Sequence, residues 1–173
     1  MLRFLAAKHA LGLASSWEFP PAADRALTHG IYSDALAELA SRTETSMSDV
    51  GPLFEQAIAE LGEQIPPPLE SARILTRFCV EEIAQSASSP VDVLAFLWKE
   101  VAYHDAVPRG KCVGEALDIS QLMGLYDSYR EPNENYYAPE QRLIDDEQER
   151  RSLLDRLARE EARVWLARHP TPE

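Results

Sequence analysis

Prolines and serines stand where helices can begin, and the apolar residues behind them return at steps of three or four. A proline in the first turn of a helix loses nothing, because its missing N–H would have no intrahelical acceptor there, whereas in a helix interior it removes a bond and clashes. The spacing therefore cuts the chain into short helices. Pro20 and Pro21 open a segment running to His29, with Gly30 as its left-handed exit, and Ser33 caps Asp34–Ala40, so the two predict a helical hairpin. Asp49 or Gly51 precedes Pro52, after which Leu53, Phe54, Ala57, Ile58 and Leu61 share a face before Gly62. Pro66, Pro67 and Pro68 lead into a helix with Leu69, Ala72, Leu75, Cys79 and Ile83 on one side. Ser89 as N-cap and Pro90 in the first turn precede an apolar run from Val93 to Val101.

Asp105 to Gly114 reads as a loop, Asp118 to Arg130 as a helix, and Glu131 to Ala138 as a polar loop. Pro139 then opens a long charged helix reaching about Arg168, docked mainly through Leu153, Leu154, Leu157, Ala158 and Trp165. At the N-terminus, Leu2, Leu5 and Leu13, with Phe4 and Leu11, predict an amphipathic first helix; Lys8 and His9 interrupt what would otherwise look like a secretory signal. Alternating β-branched runs and Asn-Gly or Asp-Gly turns are missing, so strands lack their usual signals. A length of 173 residues suits one domain, residues 1–173. The expected architecture is all-α: a single-domain bundle of six to eight helices with a long, charged C-terminal helix.

Constellations for catalysis are poor. The four histidines are scattered. Glu100 and His104 sit four apart with Asp105 adjacent, one side of a metal site without the other half. Arg109-Gly110-Lys111-Cys112 has the ending of a phosphate-binding loop, but Asp105 stands where the first glycine belongs and Cys112 where the hydroxyl belongs. No catalytic residue, metal or cofactor is expected. Cys79 and Cys112 are too few for a disulfide framework, which points to a reduced cytoplasm. No apolar run approaches the roughly 18 residues of a membrane span. A formal net charge of −12, from 17 basic and 29 acidic residues, argues against a nucleic-acid coat, since phosphates would be repelled.

The acids gather. Between Tyr126 and Glu149 eight acids face two bases, a local net of −6, and four of the six tyrosines lie among them. Tyrosine offers broad apolar contact with a polar tip, and surrounding carboxylates steer a cationic partner. The candidate partner-binding residues are Tyr126, Asp127, Tyr129, Glu131, Glu134, Tyr136, Tyr137, Asp145, Asp146 and Glu149.

In size, charge and helix content over the whole chain, with Trp17, the hairpin ending at Ala40 and the Tyr126-Asp127-Ser128-Tyr129 segment, the sequence resembles the immunity proteins that accompany bacterial polymorphic toxins. The resemblance implies a cytoplasmic, non-catalytic protein that neutralises a cognate protein toxin, a basic nuclease for example, by direct binding. The alternatives are a helical adaptor or chaperone for another cytosolic protein, and a metal-dependent helical hydrolase built on Glu100, His104 and Asp105.

Overall fold

Every regular element is helical among the residues that the computed structural model describes, which are 1–43, 46–85, 89–131 and 144–170. The protein is all-α, with eight α-helices among those residues and a long one at the C-terminal end. Two compact units divide the chain, Met1–Ile74 and Leu75–Glu173.

The first unit contains α1 (Leu2–Ala10), α2 (Phe19–Thr28), α3 (Asp34–Ala40), α4 (Met47–Glu60) and the opening turns of α5 (Pro68–Gln85). Its core joins Phe19, Leu36, Leu39, Val50, Phe54 and Ile58 with alanines 6, 22, 23, 26, 35 and 57, whose small side chains let helix backbones approach closely. The Phe19 and Phe54 rings meet at 4.9 Å in an edge-on arrangement, a geometry that places the positive edge of one ring against the negative face of the other. His9 stands edge-on to both, at 5.6 and 5.9 Å. Gly51 packs beside it, where a Cβ would stand in ordinary van der Waals contact with the imidazole at 3.4 Å.

The predicted boundaries hold best where a cap is written into the sequence. Pro20 and Pro21 sit in the first turn of α2, and the Leu36 amide donates to Ser33 Oγ at 3.1 Å. Two boundaries move. α1 ends at Ala10 and does not reach Leu13, because Gly12 turns left-handed at φ 68°. α4 begins at Met47 and carries Pro52 inside it. Ser46 and Asp49 form that earlier start, joined by a 2.6 Å hydrogen bond, while the Ser48 carbonyl that Pro52 cannot serve belongs to an exposed residue that water can reach.

The second unit continues α5 and adds α6 (Val91–Phe96), α7 (Ser120–Arg130) and α8 (Glu147–Arg168). α6 runs into one π-helical turn, Leu97–Ala102, so the single apolar helix expected over this stretch changes pitch partway. Ser89 does not cap it. The Ser89 hydroxyl donates instead to Asp155 on α8 at 3.0 Å, and Pro90 occupies the cap position. α7 starts at Ser120, two residues later than the pattern suggests, because Asp118 lies in the left-handed region at φ 55° and ends a short 3-10 turn, Glu115–Leu117. α8 opens at Glu147, not at Pro139: Asp146 accepts the Glu149 amide at 2.7 Å, and Ile144–Asp146 precede the helix as irregular chain. An Asp three residues before Glu149 is the ordinary N-cap signature, and Pro139 lies outside the described residues.

Candidate interaction surface

α7 and α8 run antiparallel, as two contacts near opposite ends of α7 establish. Tyr129 donates its hydroxyl hydrogen to Asp155 Oδ1 at 2.7 Å, and the Trp165 indole N–H donates to the Leu117 carbonyl at 3.3 Å. The register places the end of α7 level with residues 153–155 of α8, so the first two turns of α8 extend about 10 Å beyond it at 1.5 Å per residue. Asp145, Asp146, Glu147 and Glu149 lie at that overhang, and all four are exposed. Carboxylates at a helix N-terminus also face the unpaired N–H groups and the positive end of the macrodipole, which favours their placement there.

α8 as a whole is not acidic. Its 22 residues carry five acids and six arginines, and the arginines follow the opening turn. Several neutralise acids along the helix, as Arg151 does Glu147 at 3.7 Å and Arg159 does Asp155 at 3.8 Å. Within α7 and α8 the exposed acids without an arginine partner therefore gather at the overhang and at the end of α7. There Glu131 is exposed, and among the described residues Glu131, Asp145 and Glu149 make no ion pair.

The tyrosines divide differently. Tyr126 is buried, its ring 5.6 Å from Trp98 and its face 5.9 Å from the Arg130 guanidinium, so it is a core residue that a partner cannot reach. Tyr129 is half-buried and committed to Asp155. Burial first, then the hydrogen bond to Asp155 and its charge, push the Tyr129 phenol far above its ordinary range. Both rings project from the core side of α7 because Leu122, Tyr126 and Tyr129 fall at steps of four and three. Asp127, between them, pairs with Arg130 at 3.9 Å; burial raises its carboxyl above the ordinary range, against Arg130 and with help from Glu131. Glu134, Tyr136 and Tyr137 lie outside the described residues. Asp146 is the cap of α8, which makes its side chain structural as well as accessible.

Exposed aromatic contact area is found elsewhere among the described residues. Trp17 and Tyr32 in the first unit are 69% and 67% exposed, and Tyr103 in the second is 52% exposed. Trp17 lies in a 3-10 turn fixed by a capping box between Ser15 and Glu18, a Ser-x-x-Glu signal readable in the sequence. Tyr103 stacks edge-on to Trp98 at 5.5 Å, extending the Tyr126 cluster to the surface. That chain of rings carries no periodic signature, because the π turn between Trp98 and Tyr103 breaks the helical repeat.

Glu100 and His104 do not share a helix face. The helix ends at Ala102, and His104 turns back so that its Nδ1 accepts the Ala106 amide at 3.1 Å. Among the described residues no three His, Cys, Asp or Glu side chains converge to hold a metal ion. Both cysteines are free, and burial, aided by Glu82, pushes the Cys79 thiol up to about 12. Among the described residues no helix is long and apolar enough to cross a membrane. Comparison with protein-family models, curated proteins and solved structures gives no match.

Proposed function

We propose that this chain is a non-catalytic acidic binding protein that neutralises a cognate bacterial toxin by direct contact, as an immunity protein does. The observation that carries the proposal is the set of exposed carboxylates without ion pairs among the described residues, Glu131, Asp145 and Glu149, at the end of α7 and the overhang of α8. Such a field attracts a cationic protein, a basic nuclease for example, and repels nucleic acid itself. Tyr126 and Tyr129 take no part in the contact, since one is buried and the other is bound to Asp155.

Co-expression with the product of the neighbouring gene, scored by growth, tests the function. The triple variant Glu131→Gln, Asp145→Asn and Glu149→Gln tests the surface, because it removes charge while sparing the Asp146 cap and the Tyr129–Asp155 bond. The expected result is growth rescue by the native chain, and an association rate at low salt that falls about tenfold in the variant with helicity unchanged. Failure of the native chain to rescue growth or bind the toxin would overturn the function. Rescue and on-rate undiminished in the triple variant would overturn the surface.

A further inference from the structure

The loop from Ala102 to Ala116 in the second unit lines a half-open pocket of about 190 Å3, room for about six waters at about 30 Å3 each. Tyr103, His104, Arg109, Gly110, Lys111 and Cys112 line it, and no acid does, although the chain carries 29 acids against 17 bases. The two acids of this stretch lie outside the lining. Asp105 is exposed, and the Glu115 carboxylate accepts the Lys111 amide and lies against Gly110. Arg109 and Lys111 make no ion pair among the described residues.

Two glycines let the loop pack closely. A Cβ on Gly110 would fall 2.7 Å from the Glu115 Cβ. Gly114, at φ 81°, approaches α7 so closely that a Cβ would fall 2.8 Å from Ile119 Cγ1 and 2.9 Å from Met123 Cγ. Two cations on a small pocket that no acid lines match a tetrahedral dianion, which offers acceptors in several directions and the opposite charge. We propose that this cavity binds phosphate, free or as the phosphomonoester of a small molecule. The site is separate from the carboxylate surface and does not depend on it.

Cys112 provides the probe. It is exposed at the cavity while Cys79 is buried, so N-ethylmaleimide labels one position in the native chain. Saturating inorganic phosphate is expected to slow that labelling at least about fivefold relative to sodium chloride of equal ionic strength. Glycerol 3-phosphate in a parallel arm distinguishes a phosphomonoester site from one closed to all but the free ion. The double variant Arg109→Gln, Lys111→Gln is expected to lose the protection at unchanged helicity, while Lys99→Gln, an exposed base outside the lining, retains it. Amide resonances of Gly110, Lys111 and Gly114 should shift on phosphate titration. Absence of both protection and shifts would overturn the site, as would protection that persists in the double variant.

Discussion

The two units solve the same problem with different materials. The first closes on rings and methyl groups: Phe19 against Phe54, with alanines on four helices and His9 filling the remaining edge. The second holds a helix that is mostly polar. Leu154, Ala158, Ala162 and Trp165 are buried on α8, Leu153, Leu157 and Leu166 are half-buried, and specific polar bonds add to the attachment. Asp155 receives Tyr129 and Ser89; Asp118 meets Arg168 at 3.0 Å; and Arg77 donates to the His169 carbonyl at 2.7 Å. Apolar burial is non-directional and tolerates small errors of register, whereas a polar bond fixes register but contributes little net stability. Both units bury an apolar core, and in unit two polar bonds additionally fix the register of α8.

The largest test of that contrast is Phe54→Ala. Removing a fully buried ring that touches both Phe19 and His9 should cost about 3–5 kcal/mol and melt the first unit early. Hydrogen exchange resolves where the loss falls. Amides of α2 to α4 should lose protection while those of α7 and α8 keep theirs. Equal loss along α8 would break the comparison, because the two units would then share one cooperative transition.

Tyr129→Phe sharpens the other side. The ring stays, but a hydrogen bond to a carboxylate is lost, at about 1.5 kcal/mol near neutral pH. The sign with pH is fixed by the raised phenol. A group whose folded pKa lies above its unfolded value contributes stability that is present below about pH 10, where the unfolded phenol titrates, and lost as pH climbs beyond it. The native second unit should weaken on the alkaline side, and the Phe variant should lose that decline. Tyr32 in the first unit is a built-in control. Its phenol is also raised, by the hydrogen bond to Asp34, yet it is exposed and its ionisation should leave α2 to α4 intact. A flat alkaline limb in the native chain would refute the role given to Tyr129.

The same contrast explains what the sequence discloses. Helices of the first unit are legible because they depend on periodic apolar positions and on caps such as Ser33, both written locally. Of the candidate surface, the carboxylates are legible from charge density, and Glu131, Asp145 and Glu149 are exposed as such density suggests. The tyrosines are legible in part. The spacing of Leu122, Tyr126 and Tyr129 puts both rings on the core side of α7, but that Tyr126 meets Trp98 across a π turn is a tertiary outcome with no local signal. The start of α8 shows a local signal setting a boundary: Asp146 accepts the Glu149 amide, and the helix opens behind that cap.

Glu60→Gln tests the smallest expected effect, and it asks whether the first unit is free of the polar attachments that define the second. Glu60 on α4 reaches across to α3, where its Oε2 accepts the Ala35 amide at 2.9 Å, one of the N–H groups that a helix start leaves unpaired. That bond, with lesser help from Gln56, holds the Glu60 carboxyl below the ordinary glutamate range against the opposing effect of burial. A depressed carboxyl contributes stability that is present above its unfolded pKa, about 4.3, and lost as pH falls through the folded value. Acid should thus loosen the first turn of α3 before the Phe19–Phe54 core gives way. The Gln variant keeps an acceptor but no charge, so the acid-dependent part of Ala35 exchange protection should vanish while the melting point at neutral pH changes less than in either variant above. Acid sensitivity of Ala35 that survives in Glu60→Gln would place the titrating group elsewhere than Glu60, since the other cap of α3, the Ser33 hydroxyl, does not titrate in acid.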